Sequence, residues 1–252
     1  MTAAAAPVPS RGDGGEGARA RLAGVSVTLS EAESRRLAAH VGVPVSPFVT
    51  ATDPDEAVAA AAGLDRPLVA KLCGRAIAHK TERGLVRLRL ADDAALAAAT
   101  AELLGAATAD DGPVEVLVST MVAGNREFIA GTTVDPTFGP VAMIGVGGIL
   151  AEAVRDVAFR LVPLEPVDAA EMIEDLSTRR LLDAFRGEPP VDRAALVDAL
   201  VAVSRLATEV PGVVSVDLNP LIISEGRPVA VDALVEVDDP DAALAVVEAS
   251  VR

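Results

Sequence analysis

The sequence predicts an α+β fold built as two lobes, and three features of the chain indicate it. First, 51% of the 252 residues are hydrophobic and the mean hydropathy is +0.40, so a substantial core can form. Second, strand-like runs follow one another between residues 114 and 162, which favours antiparallel pairing over a doubly wound parallel sheet. Third, the polar stretch at 109–112 separates two segments that each hold strands and helices. We therefore predict a disordered tail at 1–22, one lobe at 23–110 and a second at 111–252.

The first lobe carries recognisable helix start signals. Ser30 and Glu33 have the spacing of a capping box, which predicts a helix to about residue 41. Pro54 in a first turn predicts a second helix to residue 63, and Asp92 or Asp93 predicts a third to about residue 106. Between these helices, we predict extended segments at 43–50, 67–72 and 85–90, with a polar loop at 74–84.

The second lobe is predicted to be richer in strands. Apolar runs predict strands at 114–122, 126–134, 140–146, 153–162, 213–223 and 228–237, the last two joined by a short turn. Helices are predicted at 167–176, 192–209 and 239–250.

Charge and composition exclude several classes of function. The formal net charge is −15 and 2% of residues are aromatic, so we expect no nucleic-acid binding through phosphate contacts or base stacking. No apolar run approaches about 18 residues, so we expect no membrane span. The single cysteine, Cys73, excludes a disulfide framework and predicts a cytoplasmic location.

The chain has only two lysines, Lys71 and Lys80, and they lie close to His79. The remaining basic residues among the 22 are all arginines. Either the two lysines cluster by chance, or this position needs an ammonium group and not a guanidinium. Lys71 lies on a predicted buried strand that leads into a glycine-containing loop, which suits a phosphate ligand, although no P-loop motif is present. His79 is either a nucleophile toward a phosphoryl group or a surface histidine, and spacing leaves both interpretations open.

Three oxygen-bearing side chains form a candidate metal site. Asp217 and Asn219 are two residues apart on a predicted strand and share a face, and Asp232 follows on the next strand. Two carboxylates and an amide oxygen suit Mg²⁺. The alternative is that these side chains cap backbone groups at a strand edge and a turn.

Residues 121–128 are a candidate hinge between the lobes. A strand leads into a glycine turn, and Glu127 returns on the next strand, where it can accept hydrogen bonds from ribose hydroxyls. A solvated glutamate at a hairpin is the alternative. The glycine-rich stretch at 145–148 misses the GxGxxG spacing, so we exclude a dinucleotide fingerprint.

Three stretches of the chain resemble a known family. They are KLCGRAIAHKTERGLVRL, then LVSTMVAGNREFIAGTTVDPTFGPVAMIGVGGILAEAVRDVAFRLVPL, then VDLNPLIISEGRPVAVDA. In this order they resemble the ATP-grasp domain of ADP-forming acyl-CoA synthetases, the acetate–CoA ligases of the succinyl-CoA synthetase superfamily, in its β-type part. The resemblance covers about residues 25–240. It implies the ATP-grasp fold, in which two α+β lobes clasp a nucleotide.

The resemblance also implies which residues bind the nucleotide. Lys71 would contact phosphates, and Glu127 would bind the ribose. Backbone groups near Thr120, Met121 and Val122 would meet the adenine.

The resemblance assigns the metal and the phosphoryl group as well. Asn219 and Asp232 would hold Mg²⁺, with Asp217 standing where the family often has glutamate. His79 would carry the phosphoryl group.

The function implied by the resemblance is that of an enzyme component. The chain would be the ATP-binding subunit of an ADP-forming acyl-CoA synthetase, which converts ATP, a carboxylic acid and CoA into ADP, phosphate and acyl-CoA. It would bind ATP and Mg²⁺ and would need a CoA-binding α-type subunit in a hetero-oligomer. Two alternatives stay open: a non-catalytic ATP-sensing module that regulates a partner acyltransferase, and a free-standing ligase that joins a carboxylate to an amine. His79 favours the enzyme.

Overall fold

Two antiparallel sheets organise the chain, for which a computed structural model describes residues 26–77, 80–148 and 154–249. The strands of these ranges are β1 (Val27–Thr28), β2 (Phe48–Ala51), β3 (Leu68–Cys73), β4 (Val86–Leu90), β5 (Glu115–Thr120), β6 (Arg126–Asp135), β7 (Gly139–Val146), β8 (Val157–Leu161), β9 (Val213–Ser224), β10 (Arg227–Ala230) and β11 (Leu234–Val237). The small sheet has the order β2-β5-β3-β4. The large sheet has the order β1-β11-β9-β6-β7-β8, with β10 also paired to β9. The α+β prediction is confirmed.

The helices of the described ranges start close to where the sequence predicts. They are α1 (Glu31–His40), α2 (Pro54–Ala60), α3 (Asp93–Gly105), α4 (Pro166–Asp175), α5 (Arg193–Glu209) and α6 (Pro240–Ala249). The capping box of α1 forms, because the Ser30 hydroxyl accepts from the Glu33 N–H at 3.3 Å while the Glu33 carboxylate accepts from the Ser30 N–H at 2.9 Å. Asp92 caps α3. None of these helices is long and apolar enough to cross a bilayer.

Each sheet packs one face against a hydrophobic core that includes helices, and α1 covers part of the other face of the small sheet, where Ala32 packs against Cys73. On β3, Leu68, Ala70 and Leu72 join a core with α2 and α3. On β9, Val216 and Leu218 join a larger core to which α5 contributes. Since side chains alternate along a strand, Lys71 and Asp217 lie on the opposite faces.

The predicted strand at 228–237 is split in the structure. β10 and β11 are separated by residues 231–233, and the Asp232 carboxylate accepts a hydrogen bond from the Ala233 N–H at 2.9 Å. Such a local bond competes with ladder pairing and ends the strand there. The two-residue β1, which the sequence analysis did not predict, pairs with β11.

The chain passes from the small sheet to the large sheet between β5 and β6. This crossing comes after the predicted lobe boundary at residues 110 and 111. β5 pairs with both β2 and β3 and so belongs to the small sheet. The preceding β1 pairs with the large sheet, and α1 packs against α5, α6 and β11. A division by sheets therefore differs from the division predicted by composition. The predicted tail at 1–22 lies outside the described residues.

Candidate functional site

A cavity of about 500 Å³ lies at the junction of the two sheets. Its walls come from α1, the segment after β3, the middle of β9 and the break between β10 and β11. Asp217, Asn219 and Asp232, the three predicted metal ligands, all line this cavity, together with Glu31 and Lys80. The fold therefore brings the three oxygen-bearing side chains together with a lysine.

Lys71 bridges the small sheet and the break in the large one. Its Nζ donates to Glu31 Oε1 at 2.7 Å, to the Val231 carbonyl oxygen at 2.9 Å and to Asp232 Oδ2 at 3.2 Å. The residue is 8% exposed. All three ammonium hydrogens thus have a partner, and the positive charge is held at the edge of the cavity.

Lys80 reaches the same two carboxylates from the segment after β3. Its Nζ donates to Glu31 Oε2 and lies 3.4 Å from Asp232 Oδ1. Burial would lower the pKa of Lys80, but the charges of Glu31 and Asp232 raise it above its usual value. Both lysines of the chain therefore share Glu31 and Asp232.

Glu31 is a buried carboxylate surrounded by cations. Burial would raise its pKa, but the charges and hydrogen bonds of Lys71 and Lys80 hold that pKa below the usual range. A third cation, Arg35, lies 3.5 Å from Glu31 Oε1. The Arg35 guanidinium also donates to the Ser46 carbonyl oxygen at 2.6 Å and lies 4.5 Å from the centre of the Phe48 ring. These contacts fix Glu31 at the base of the site.

Asp217 and Asn219 have side chains suited to a cation. Within the described ranges, no protein group donates a hydrogen bond to either side chain, and both residues are exposed to the cavity. Partial desolvation and the nearby charge of Asp232 raise the pKa of Asp217. Bringing a divalent cation to these oxygens would offset the repulsion, so the residues present fit Mg²⁺. No cluster of three or more His, Cys, Asp or Glu that could hold a metal occurs in the described residues, and one of the three predicted ligands here is the Asn219 amide.

The predicted adenine-binding residues lie where the chain crosses between sheets. Thr120 ends β5, and Met121 follows it, with its N–H donating to the Pro67 carbonyl oxygen at 2.9 Å. Gly124 packs so closely on β9 that an added Cβ would lie 2.2 Å from the Ile223 carbonyl oxygen, which requires glycine there. Neither Thr120, Met121 nor Val122 lines the cavity described above.

Glu127 lies beside the glycine turn that follows β7. The Gly147 N–H donates to the Glu127 carbonyl oxygen at 2.8 Å, and a Cβ on Gly148 would lie 2.9 Å from Glu127 Oε2. Gly148 also has a φ of +64°, a conformation that favours glycine. The turn at 147–148 therefore makes room for the Glu127 carboxylate, which is not among the residues that line the cavity.

His79, the predicted phosphoryl carrier, lies outside the described residues. The described residues on either side of it, Ile77 and Lys80, both line the cavity.

Sequence reasoning missed Glu31 as a site residue. It is the first residue of α1, and acidic residues are common in first helical turns because they complement the helix dipole. Its burial against two lysines that follow 40 or more positions later depends on tertiary packing. No local signal could have identified it.

Comparison with protein families decides the class of the chain. A model of the ATP-grasp domain matches residues 20–237, nearly all of the described part. The chain belongs to the ATP-grasp domain family. The ATP-grasp fold and its two lobes agree with the two sheets and with the cavity at their junction.

Relatives of this ATP-grasp chain include ligase subunits and longer ligases. The subunit beta of ADP-forming acetate–CoA ligase I from Pyrococcus furiosus is 35% identical, over 81% of this chain and 90% of that protein. ADP-forming acetate–CoA ligase I from Archaeoglobus fulgidus is 36% identical over 76% of this chain, but the match covers 28% of its length. The ATP-grasp chain therefore matches most of a separate subunit in one relative and a small part of a longer chain in the other.

A solved structure shows the same ATP-grasp architecture. The dinucleotide forming acetyl-coenzyme A synthetase 1 of Ca. Korarchaeum cryptofilum, in complex with coenzyme A, Ca-AMPCP and HgCl+, superimposes with a TM-score of 0.77 and 32% identity. The match covers 84% of this chain and 93% of that one. Another structure of that synthetase is in complex with coenzyme A and Mg-AMPPCP.

Proposed function

We propose that the chain is the ATP-binding subunit of an ADP-forming acyl-CoA synthetase. The overall reaction converts ATP, a carboxylic acid and CoA into ADP, phosphate and acyl-CoA. The observation that carries this proposal is the cluster at the junction of the sheets, where both lysines contact Glu31 and Asp232 beside the cavity that Asn219 lines. The match to 90% of a beta subunit supports a role limited to the nucleotide half of the reaction. A CoA-binding α-type subunit would bind CoA and the acid.

The lysines are the proposed phosphate ligands. The chain has a net charge of −15, so an anionic nucleotide needs a local cationic site. Lys71 and Lys80 provide two ammonium groups, and both of these groups contact the carboxylates of Glu31 and Asp232. In the nucleotide complex, phosphate oxygens would replace Asp232 as the acceptor for both lysines.

The metal ligands proposed are Asn219 and Asp232, with Asp217 beside them. Bound Mg²⁺ would neutralise charge on the phosphate oxygens and favour transfer of the phosphoryl group. Asp232 would give up its contacts to the lysines, and its 29% exposed side chain lies on the open side of the site. Asp217, which no described group hydrogen-bonds, would face the same ion.

The base and ribose of the nucleotide would lie along the segment that crosses between the sheets. Backbone groups of Thr120, Met121 and Val122 are proposed to meet the adenine, and Glu127 the ribose hydroxyls. Glu127 is half-buried beside Gly148, which leaves its carboxylate room to accept hydrogen bonds.

His79 is the proposed phosphoryl carrier. The lone pair of a neutral ring nitrogen would form a bond to the γ-phosphorus, while the bond from that phosphorus to the bridging oxygen breaks and its electron pair leaves with ADP. The phosphoryl group would then pass to the partner subunit. The flanking residues Ile77 and Lys80 line the cavity, which supports this assignment.

Reconstitution with a partner tests the proposed function. The chain is purified with an α-type subunit of this enzyme class, and ADP release is followed with ATP, Mg²⁺, CoA and a panel of small carboxylic acids. ADP release that requires both subunits, CoA and an acid is the expected result. A stable complex that releases no ADP with any acid would contradict the enzyme and favour a non-catalytic ATP-sensing module.

A further inference from the structure

The two carboxylates that share the lysines are not equivalent. Lys71 lies 2.7 Å from Glu31 and 3.2 Å from Asp232, and Lys80 is likewise closer to Glu31 than to Asp232. The Glu31 side chain is 2% exposed, whereas the Asp232 side chain is 29% exposed. Glu31 therefore holds both lysines from the closed side of the site, and Asp232 holds them from the open side.

Glu31 is also the more firmly anchored of the two. It begins α1, whose start is fixed by the Ser30 capping box, and Arg35 lies one turn further along the same helix. The Arg35 side chain is fully buried and is held by Ser46 and Phe48. Asp232 lies in the break between β10 and β11, outside the ladder. An exchange of partners at the lysines would therefore break the contacts to Asp232 first.

We propose that Glu31 is a positioning residue that keeps Lys71 and Lys80 in the cleft when Asp232 turns to the metal. This inference rests on the proposed function, because it assumes a nucleotide and Mg²⁺ at the site. If Glu31 were neutral, both lysines would keep Asp232 as their remaining carboxylate partner. Asp232 would then be less available to Mg²⁺, although the lysines would still attract phosphates.

The first test measures the lysines without nucleotide or metal. Because Lys71 and Lys80 are the only lysines, methylation by ¹³C-formaldehyde and a reductant gives two side-chain signals besides that of the N-terminus. Glu31→Gln is expected to raise the labelling rate of both lysines about tenfold, the factor that one charge-assisted hydrogen bond corresponds to. Asp232→Asn is expected to raise it less. The matched control is Glu33→Gln, because Glu33 bonds Arg75 rather than a lysine.

The second test separates the metal from the nucleotide. ATP is titrated into Glu31→Gln with and without Mg²⁺. The affinity for metal-free ATP is expected to stay within about twofold of the wild type, while the gain in affinity on adding Mg²⁺ falls about tenfold. If Glu31→Gln weakened ATP binding by the same factor with and without Mg²⁺, Glu31 would have a general structural role and the proposal would be overturned.

A second variant keeps the proposal testable if Glu31→Gln does not fold. Glu31→Asp retains the charge but is one methylene shorter, so it is expected to protect one lysine from labelling and to show an intermediate Mg²⁺ effect. Unchanged labelling of both lysines in Glu31→Gln or Glu31→Asp would overturn the anchoring role. If the wild type binds no nucleotide, the proposed function fails, and the labelling test still decides whether Glu31 anchors the lysines.

Discussion

At the scale of single residues, the proposed nucleotide site depends most on Lys71. Its ammonium group is held within 3.2 Å of three oxygen atoms, and we infer that phosphate oxygens replace one of them. We predict that Lys71→Ala weakens ATP binding about tenfold or more, because a charge-assisted hydrogen bond contributes about 1.5–3 kcal/mol. Isothermal calorimetry on the folded variant measures this directly.

The control for Lys71→Ala is a cation outside the cleft. Arg87→Ala removes a partly exposed guanidinium on β4 that pairs with Glu102 at 3.0 Å and donates to the Gly84 carbonyl oxygen. Its effect on ATP affinity is expected to be below about twofold, since exposed ion pairs contribute little. An unchanged affinity in folded Lys71→Ala would exclude Lys71 from the site.

The sequence predicted a site residue where the alternation of side chains along a strand determines which face that residue occupies. Lys71, Asp217 and Asn219 lie on strands whose alternate residues are apolar, so the face that each occupies follows from the period of two. Glu31 was not predictable, because its role comes from contacts with residues far along the chain. The side chain of His79 lies outside the described residues, so its role stays a prediction.

At the scale of secondary-structure elements, a buried arginine joins β6 to the segment before α5. The Arg126 side chain is 1% exposed and donates to the carbonyl oxygens of Leu181, Asp183 and Pro189 and to the Glu188 carboxylate. We predict that Arg126→Ala destabilises the fold by about 3–5 kcal/mol, because it removes the buried donor to Glu188 Oε2 and to three carbonyl oxygens. Urea unfolding measures the change.

A matched arginine on the surface gives the comparison for Arg126. Arg205 pairs with Glu209 at 2.8 Å on α5, and both side chains are about half exposed. Arg205→Ala is expected to change the urea midpoint little, because exposed ion pairs contribute little to stability. If Arg126→Ala changed the midpoint no more than Arg205→Ala does, the segment would not depend on the buried guanidinium.

A second link between elements predicts a dependence on pH. The Arg83 guanidinium donates to both Asp111 oxygens at 2.7 and 2.9 Å, and the Thr108 N–H donates at 2.8 Å. These bonds hold the pKa of Asp111 far below its usual value. Because the folded pKa is the lower one, the stabilisation is complete above the unfolded value of about 3.9 and is lost as the pH falls below it.

The measurement for this link is the melting temperature as a function of pH. Asp111→Asn should melt at a lower temperature than the wild type near neutral pH, and the difference should narrow between about pH 4 and pH 2. A difference that stays constant over this range would show that the Asp111 charge does not contribute.

The elements themselves were largely predictable, and their partners were not. Capping residues such as Ser30 and Asp92 mark helix starts through local hydrogen bonds, and the structure confirms them. Strand pairing is non-local, so the placement of β5 in the small sheet and of β1 in the large sheet could not be read from composition. The split between β10 and β11 depends on the Asp232 side chain accepting a hydrogen bond from the Ala233 N–H.

At the scale of the whole molecule, the proposed function requires this chain and a partner subunit to act together. We predict that His79→Ala keeps its ATP affinity but abolishes net acyl-CoA synthesis in the reconstituted complex, because the phosphoryl group has no carrier. Binding is measured by calorimetry and synthesis by acyl-CoA formation. A His79→Ala complex that turns over at the wild-type rate would remove the carrier role.

The central claim is that the cleft between the sheets binds a nucleotide together with Mg²⁺. The most direct test titrates ATP into the wild type and into Asp232→Asn, each with and without Mg²⁺. We predict one site per chain, with a gain in affinity from Mg²⁺ that falls about tenfold in Asp232→Asn, because Mg²⁺ binds oxygen ligands together with phosphate oxygens. Absence of ATP binding in the wild type, or an equal gain from Mg²⁺ in both proteins, would contradict the claim.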